Sequence, residues 1–250
     1  MKYDPFEARV LPIFGFYIVL IILGILVTIK LAKKYTQRKD TAPLHLSIVY
    51  AFFTTAIIVL AIGLAEAAIT GYYKEIYRIS LPLAYSLVVI ANIFLFYFVC
   101  KITNKWNRSF PFLILSGAAL VIIIFLPWNW WGFPKEVYAG KVTIRLYTNI
   151  AYISYSYLVY ISIAILCKRT KKKSEDKVSR LGLSLLFYSM ISMILYFIMV
   201  LADNIMIIIF KHPGYSEFLY IAWIFAIMFI VLSYFSLAMP DWMVQRIMKK

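Results

Sequence analysis

The 250 residues are 64% hydrophobic and 15% charged, with a mean hydropathy of +0.85 and a formal net charge of +15. A water-soluble domain of this length is about half apolar and a quarter charged, so the composition excludes an ordinary globular fold. The apolar residues come in unbroken blocks at or above the roughly 18 residues that a bilayer crossing needs. Ile18–Val27 and Val121–Leu126 lack the alternation of a barrel strand, so the spans are helices, whose backbone groups satisfy one another in lipid.

Seven spans follow in chain order, at about 11–31, 44–70, 80–101, 110–127, 143–167, 181–210 and 218–239. The first is preceded by a neutral segment in which Lys2, Asp4, Glu7 and Arg9 cancel, and the basic cluster comes after it. That order marks an anchor inserted N-terminus out, not a cleaved signal peptide. Pro12, Pro43, Pro82 and Pro111 are placed at span starts, where a missing N–H costs nothing, and no proline interrupts a span at mid-membrane. Gly63, Ala67 and Gly71 form a small-residue stripe on the second span, which suits packing within the chain, with a dimer interface as the alternative. Gly24, Gly63 and Gly117 are packing positions on the same reading, with a hinge role as the alternative. Trp128, Trp130 and Trp131 follow the fourth span, and Trp106 and Trp242 mark the other boundary, as amphipathic rings favour the headgroup level. The tail Asp241–Lys250 is expected along the inner surface.

Orientation comes from the basic residues. One side holds Lys30, Lys33, Lys34, Arg38, Lys39, Lys101, Lys105, Arg108, Lys168, Arg169, Lys171, Lys172, Lys173, Lys177, Arg180, Arg246, Lys249 and Lys250. The other holds Lys2, Arg9, Lys74, Arg78, Lys135, Lys141, Arg145 and Lys211. This 18 to 8 bias puts the first set in the cytoplasm. The expected fold is therefore all-α, a single polytopic membrane domain over 1–250 with seven helices, N-terminus outside and C-terminus cytoplasmic, in the plasma membrane. Nearly all of the net charge faces inward, where topogenesis and anionic headgroups account for it, at about 1 kcal/mol per basic residue. Nucleic acid is not needed as a partner.

Ionisable groups at membrane depth are costly and mark candidate sites. Glu66 and Asp203 each lie about 22 residues into outward-running spans, near the outer leaflet, with Arg145 and Asn149 at the same level. Polar stripes continue inward: Ser184, Tyr188, Ser192, Tyr196 and Asp203 on the sixth span, Arg145, Asn149, Tyr152, Ser156 and Tyr160 on the fifth, Tyr85 and Asn92 on the third. Helical spacing puts each set along one side of its helix. Facing one another, they would make an outer polar pocket, with Glu66, Asn92, Arg145, Asn149, Tyr152, Tyr196, Asp203 and Asn204 as ligand-binding candidates. Interhelical hydrogen bonding is the competing account of the same stripes. Lys168, Arg169, Lys171, Lys172, Lys173, Lys177 and Arg180 are the candidate contact for a cytoplasmic partner or lipid. Cys100 and Cys167 fall at cytoplasmic helix ends and suggest packing instead of a disulfide framework. His45 and His212 fall on opposite sides, so no histidine metal centre, cofactor or activated nucleophile is expected, and no enzymatic activity.

Gly63-Leu64-Ala65-Glu66, the short outer loop and Leu81–Lys101 resemble the N-terminal seven-helix sensor region of membrane histidine kinases. Tyr234–Trp242, with its Pro-Asp-Trp and the following Arg246, is similar to that family's exit into the cytoplasm. The kinase and ATP-binding domains that follow in that family have no counterpart in these 250 residues, so the expectation from the resemblance is a sensor-like module that signals through a partner. Retinal proteins and Asp-Arg-Tyr receptors fit less well: the seventh span has no lysine, and Phe98-Val99-Cys100-Lys101 ends the third. A small transporter using Glu66 and Asp203 as cation or proton sites, and a structural subunit of a membrane complex, remain as alternatives.

Overall fold

The computed structural model describes residues 3, 5–38, 41–103, 110–126, 146–210, 212, 215–237, 239–240 and 243–245. A 3-10 turn at Ala8–Val10 leads into α1 (Leu11–Arg38), followed by α2 (Thr41–Thr70), α3 (Glu75–Ile102), α4 (Phe110–Phe125), α5 (Leu146–Lys173), α6 (Lys177–Ile209) and α7 (Glu217–Leu237). No strand occurs among the described residues, only an isolated antiparallel bridge between Pro5 and Tyr72. Six of these helices are long and apolar enough to cross a membrane, and α4 is a shorter apolar one of 16 residues. The chain is thus a multi-pass helical membrane protein. The Trp106, Trp128, Trp130, Trp131 and Trp242 anchors, Arg145 and most of the C-terminal tail lie outside the described residues.

Burial is inverted relative to a water-soluble fold. Leu11, Ile18, Ile22, Ile25 and Ile29 recur at helical spacing along one exposed face of α1, and Phe112, Leu115 and Ile122 do so on α4. Water would not tolerate apolar surface on this scale, whereas acyl chains cover it at no cost. Polar groups go inside instead, among them Thr54, Ser86, Asn92, Asn149, Ser156 and Ser192.

One helix start is corrected. The spacing predicts a third span from 80, with Pro82 in its first turn, but α3 begins at Glu75 and Pro82 lies two turns inside it. The extra turn forms because its N–H groups find acceptors: Tyr77 N donates to Glu66 Oε2 at 2.9 Å and Arg78 N to the Lys74 carbonyl at 3.2 Å. Pro82 has no N–H, so the Arg78 carbonyl receives no bond from it. Pro12, Pro43 and Pro111 do sit in first turns.

Two compact units divide the chain, with boundaries inside α1, α2, α3 and α5. Unit 1 holds residues 1–28, 47–95 and 108–156, and small residues bring its helices together. A Cβ on Gly24 would strike the Thr54 hydroxyl; one on Gly63 would stand 2.8 Å from Ser80 Cβ and 3.0 Å from the Tyr77 backbone. One on Gly117 would meet the Tyr155 hydroxyl at 2.6 Å. Gly63 thus lets a neighbouring backbone approach within the chain and Ala67 is fully buried one turn on, but Gly71 lies beyond the end of α2, exposed and with open space where a Cβ would stand, so the expected stripe packs only at its first two members. Unit 2 holds residues 29–46, 96–107 and 157–250. Its core is aromatic: Tyr160 of α5 packs on Phe197 of α6 and edge-on against Phe229 of α7, while Ser192 of α6 donates to the Phe225 carbonyl of α7 at 2.8 Å.

Candidate functional site

In unit 1 the stripes on α3 and α5 meet. Tyr85 stacks on Tyr152 with ring centroids 4.4 Å apart and planes 4° from parallel. Two turns further along α3, Asn92 donates to the Ser156 hydroxyl at 3.3 Å, both fully buried. Thr148 and Asn149 are buried one turn before Tyr152, towards the start of α5. Tyr155 turns to the other side and donates to the Leu113 carbonyl of α4 at 3.3 Å.

The seam contains a residue that the sequence spacing left in a loop. Once α3 starts at Glu75, Arg78, Tyr85 and Asn92 recur every seven residues and share one face. Arg78 is only 6% exposed, with its guanidinium 3.7 Å from Glu75 and over the ring of Tyr3 at 5.9 Å. A buried cation thus stands two turns before Tyr85 on the α3 side of the polar seam. The signal that could have found it is the Glu75–Arg78 pair at i, i+3, a common helix-stabilising spacing. The N-terminal segment closes over this corner: Phe6 N donates to the Gly71 carbonyl at 2.9 Å, and Tyr3 reaches Glu75 at 3.4 Å. Gly71 takes a φ of +74°, which lets α2 end and the chain turn towards α3.

The two acids belong to different units, and each is bonded to the start of the next helix. Half-buried Glu66 accepts from Tyr77 N in the first turn of α3. Asp203, 6% exposed, accepts from both the backbone N–H and the hydroxyl of Ser216, at 2.7 and 2.6 Å. Ser216 immediately precedes α7, so Asp203 holds the residue from which that helix starts. Carboxylates are favoured there because helix N-termini expose unpaired N–H groups and a partial positive charge. Two more members of the α6 stripe turn to α7, Ser192 through its bond to the Phe225 carbonyl and Tyr196 edge-on against Trp223 with centroids 5.5 Å apart, whereas Ser184 donates to the Arg180 carbonyl of its own helix. Tyr188 departs from it and is 58% exposed. Asn204 donates back to the Val200 carbonyl of its own helix at 2.7 Å.

Comparison with protein-family models, with curated proteins and with solved structures finds no match for this chain.

At the basic end, Lys168, Arg169 and Lys171–Lys173 fill the last turns of α5, where cations favour the partial negative charge of a helix C-terminus. Lys177 and Arg180 begin α6. Between them Asp176 caps α6: its carboxylate accepts from the Ser179 hydroxyl at 2.6 Å, Ser179 N at 2.8 Å and Val178 N at 3.3 Å. The Ser179 hydroxyl first, then these two N–H groups, hold the Asp176 carboxyl below its ordinary range. Among the described residues no three His, Cys, Asp or Glu side chains come together as a metal-binding group.

Proposed function

We propose that this multi-pass membrane protein is a non-enzymatic, sensor- or receptor-like protein of the plasma membrane. It has seven spans, its N-terminus outside and its C-terminus cytoplasmic, and it acts through a partner at Lys168–Arg180. One observation carries the choice: Glu66 and Asp203 are both bonded to the starts of the following helices. A carboxylate that couples ion movement must bind and release its cation within each cycle, and these two instead hold helix starts in place. Bonds at helix starts suit a protein with two arrangements, because a ligand that competes for them shifts α3 or α7. The seam of buried Arg78, Asn92, Asn149 and Tyr152 with half-buried Tyr85 supplies outer polar groups for such a ligand. The resemblance to kinase sensor regions supports the same reading.

Reconstitution separates it from the transporter alternative. Proteoliposomes of the purified protein should take up neither protons nor alkali cations. Robust uptake by the wild type, lost in Glu66→Gln or Asp203→Asn, would make the protein a transporter. Orientation is checked on sealed cells with a membrane-impermeant thiol reagent. A Gly214→Cys variant should react and a Lys171→Cys variant should not; the reverse pattern would invert the topology.

A further inference from the structure

In unit 1 the first turn of α3 stands between two places where the backbone can bend. On one side is Gly71, exposed, at a φ of +74° and with open space where a Cβ would stand. On the other is Pro82, whose missing N–H removes the helical bond to the Arg78 carbonyl. Hinges are places of this kind, a few residues that absorb a change of backbone angles while the piece between them moves whole. That piece is also two-sided: Tyr73, Tyr77, Arg78 and Ser80 are buried, whereas Tyr72, Ile76 and Ile79 are exposed.

What holds the piece in place comes from outside it. Glu66 of α2 accepts from Tyr77 N at 2.9 Å. The N-terminal segment supplies the rest. Pro5 pairs with Tyr72 in an antiparallel bridge, and Phe6 N donates to the Gly71 carbonyl at 2.9 Å. The Phe6 ring meets Tyr73 edge-on with centroids 5.8 Å apart. The Tyr3 hydroxyl donates to Glu75 Oε1 at 3.4 Å, and the Arg78 guanidinium stands over the Tyr3 ring at 5.9 Å. Within the piece itself the hold is loose. Glu75 lies 3.7 Å from Arg78, beyond the about 2.7–2.9 Å of a strong charged hydrogen bond, and its Oε2 is buried with no partner among the described residues.

We infer that residues 72–81 form a hinged flap, latched by the N-terminal segment, whose opening uncovers Arg78. The flap turns about Gly71 and Pro82, and the latch is the set of contacts from Tyr3, Pro5 and Phe6. Arg78 shares a face of α3 with Tyr85 and Asn92, so an opening carries the buried cation away from the polar seam. The latch needs only the geometry of this corner and stands whether or not the protein is a sensor.

The test follows amide hydrogen exchange residue by residue in the full chain in mild detergent. Phenylglyoxal labelling of arginine, mapped by mass spectrometry, is run in parallel. In the wild type, residues 77–81 should exchange through one common opening, with a step to slower exchange beyond Pro82. Fraying of a helix end would instead give rates graded from Glu75 inward. Tyr3→Ala combined with Phe6→Ala takes away both ring contacts and the bond to Glu75. This variant should speed exchange at 77–81 by about ten-fold and label Arg78 at least about ten-fold faster, with residues 86–100 unchanged. Pro82→Ala supplies an N–H for the Arg78 carbonyl and should slow exchange at the same residues several-fold. Graded rates, an equal rise along the whole of α3, or exchange and labelling unmoved by the double variant would each overturn the latch. Should the double variant not fold, Pro82→Ala decides alone, and unchanged exchange at 77–81 rejects the hinge.

Discussion

The α2–α3 and α6–α7 hairpins solve one problem with different strength. In both, an acid near the end of one helix accepts from the start of the next. Glu66 is half-buried and makes one backbone bond, and the turn beside it is also braced by Phe6 on Gly71. Asp203 is buried and takes both donors of Ser216 on one carboxylate oxygen. Membrane depth alone therefore says little about what an acid does; the number and burial of its bonds say more. The α6–α7 hairpin depends on its acid, whereas the α2–α3 hairpin has a second brace.

The largest effect expected is at Asp203. Asp203→Ala strands the buried donors of Ser216 and should cost about 3 kcal/mol, taking charged hydrogen bonds at about 1.5–3 kcal/mol each with partial relaxation. Thermal unfolding in detergent measures this, and Asp203→Asn should recover part of it because the amide oxygen still accepts. Glu66→Ala should cost about 1 kcal/mol, the usual value for a lost helix cap. Equal costs at the two acids would break the comparison. At the α3–α5 seam, Asn92→Leu should cost only about 0.6 kcal/mol, the average for a side-chain hydrogen bond between membrane helices. A cost several times larger would mean that Asn92 organises more than its bond to Ser156.

The smallest effect lies at Asp176, which is fully exposed. Its carboxyl is held below the ordinary range by Ser179 and Val178, so its support for α6 is present above the unfolded-state pKa. That support is lost as the pH falls through the lower, folded value. The Ser179 amide resonance should follow a titration with its midpoint below that of a free aspartate, and Asp176→Asn should abolish it. A midpoint at or above the free value would remove the cap.

The helices were legible because their apolar runs are long and unbroken. The start of α3 was not: Glu75–Arg78 reads as a polar loop until Glu66, from another helix, is known to cap it. That one tertiary bond hid Arg78 from the stripe it heads. The α3–α5 seam was legible because Tyr85 and Asn92, and Asn149, Tyr152 and Ser156, keep helical spacing on facing surfaces. The α6 stripe was legible only in part. Four-residue steps drift about 40° around a helix, so Ser192, Tyr196 and Asp203 fall within one narrow arc and Tyr188 lies behind it. Pairing across helices is also invisible in a stripe, so the turn of α6 towards α7 needed the structure.

The central claim is that Asp203 holds the start of α7, and a double-mutant cycle with Ser216 tests it directly. Asp203→Ala, Ser216→Ala and the double variant are compared by unfolding in the same detergent. Contacting partners couple by about 0.5–3 kcal/mol, so Ser216→Ala should cost clearly less once Asp203 is gone, by about 1 kcal/mol. Costs that simply add would contradict the clasp and return Asp203 to the candidates for ion or ligand binding.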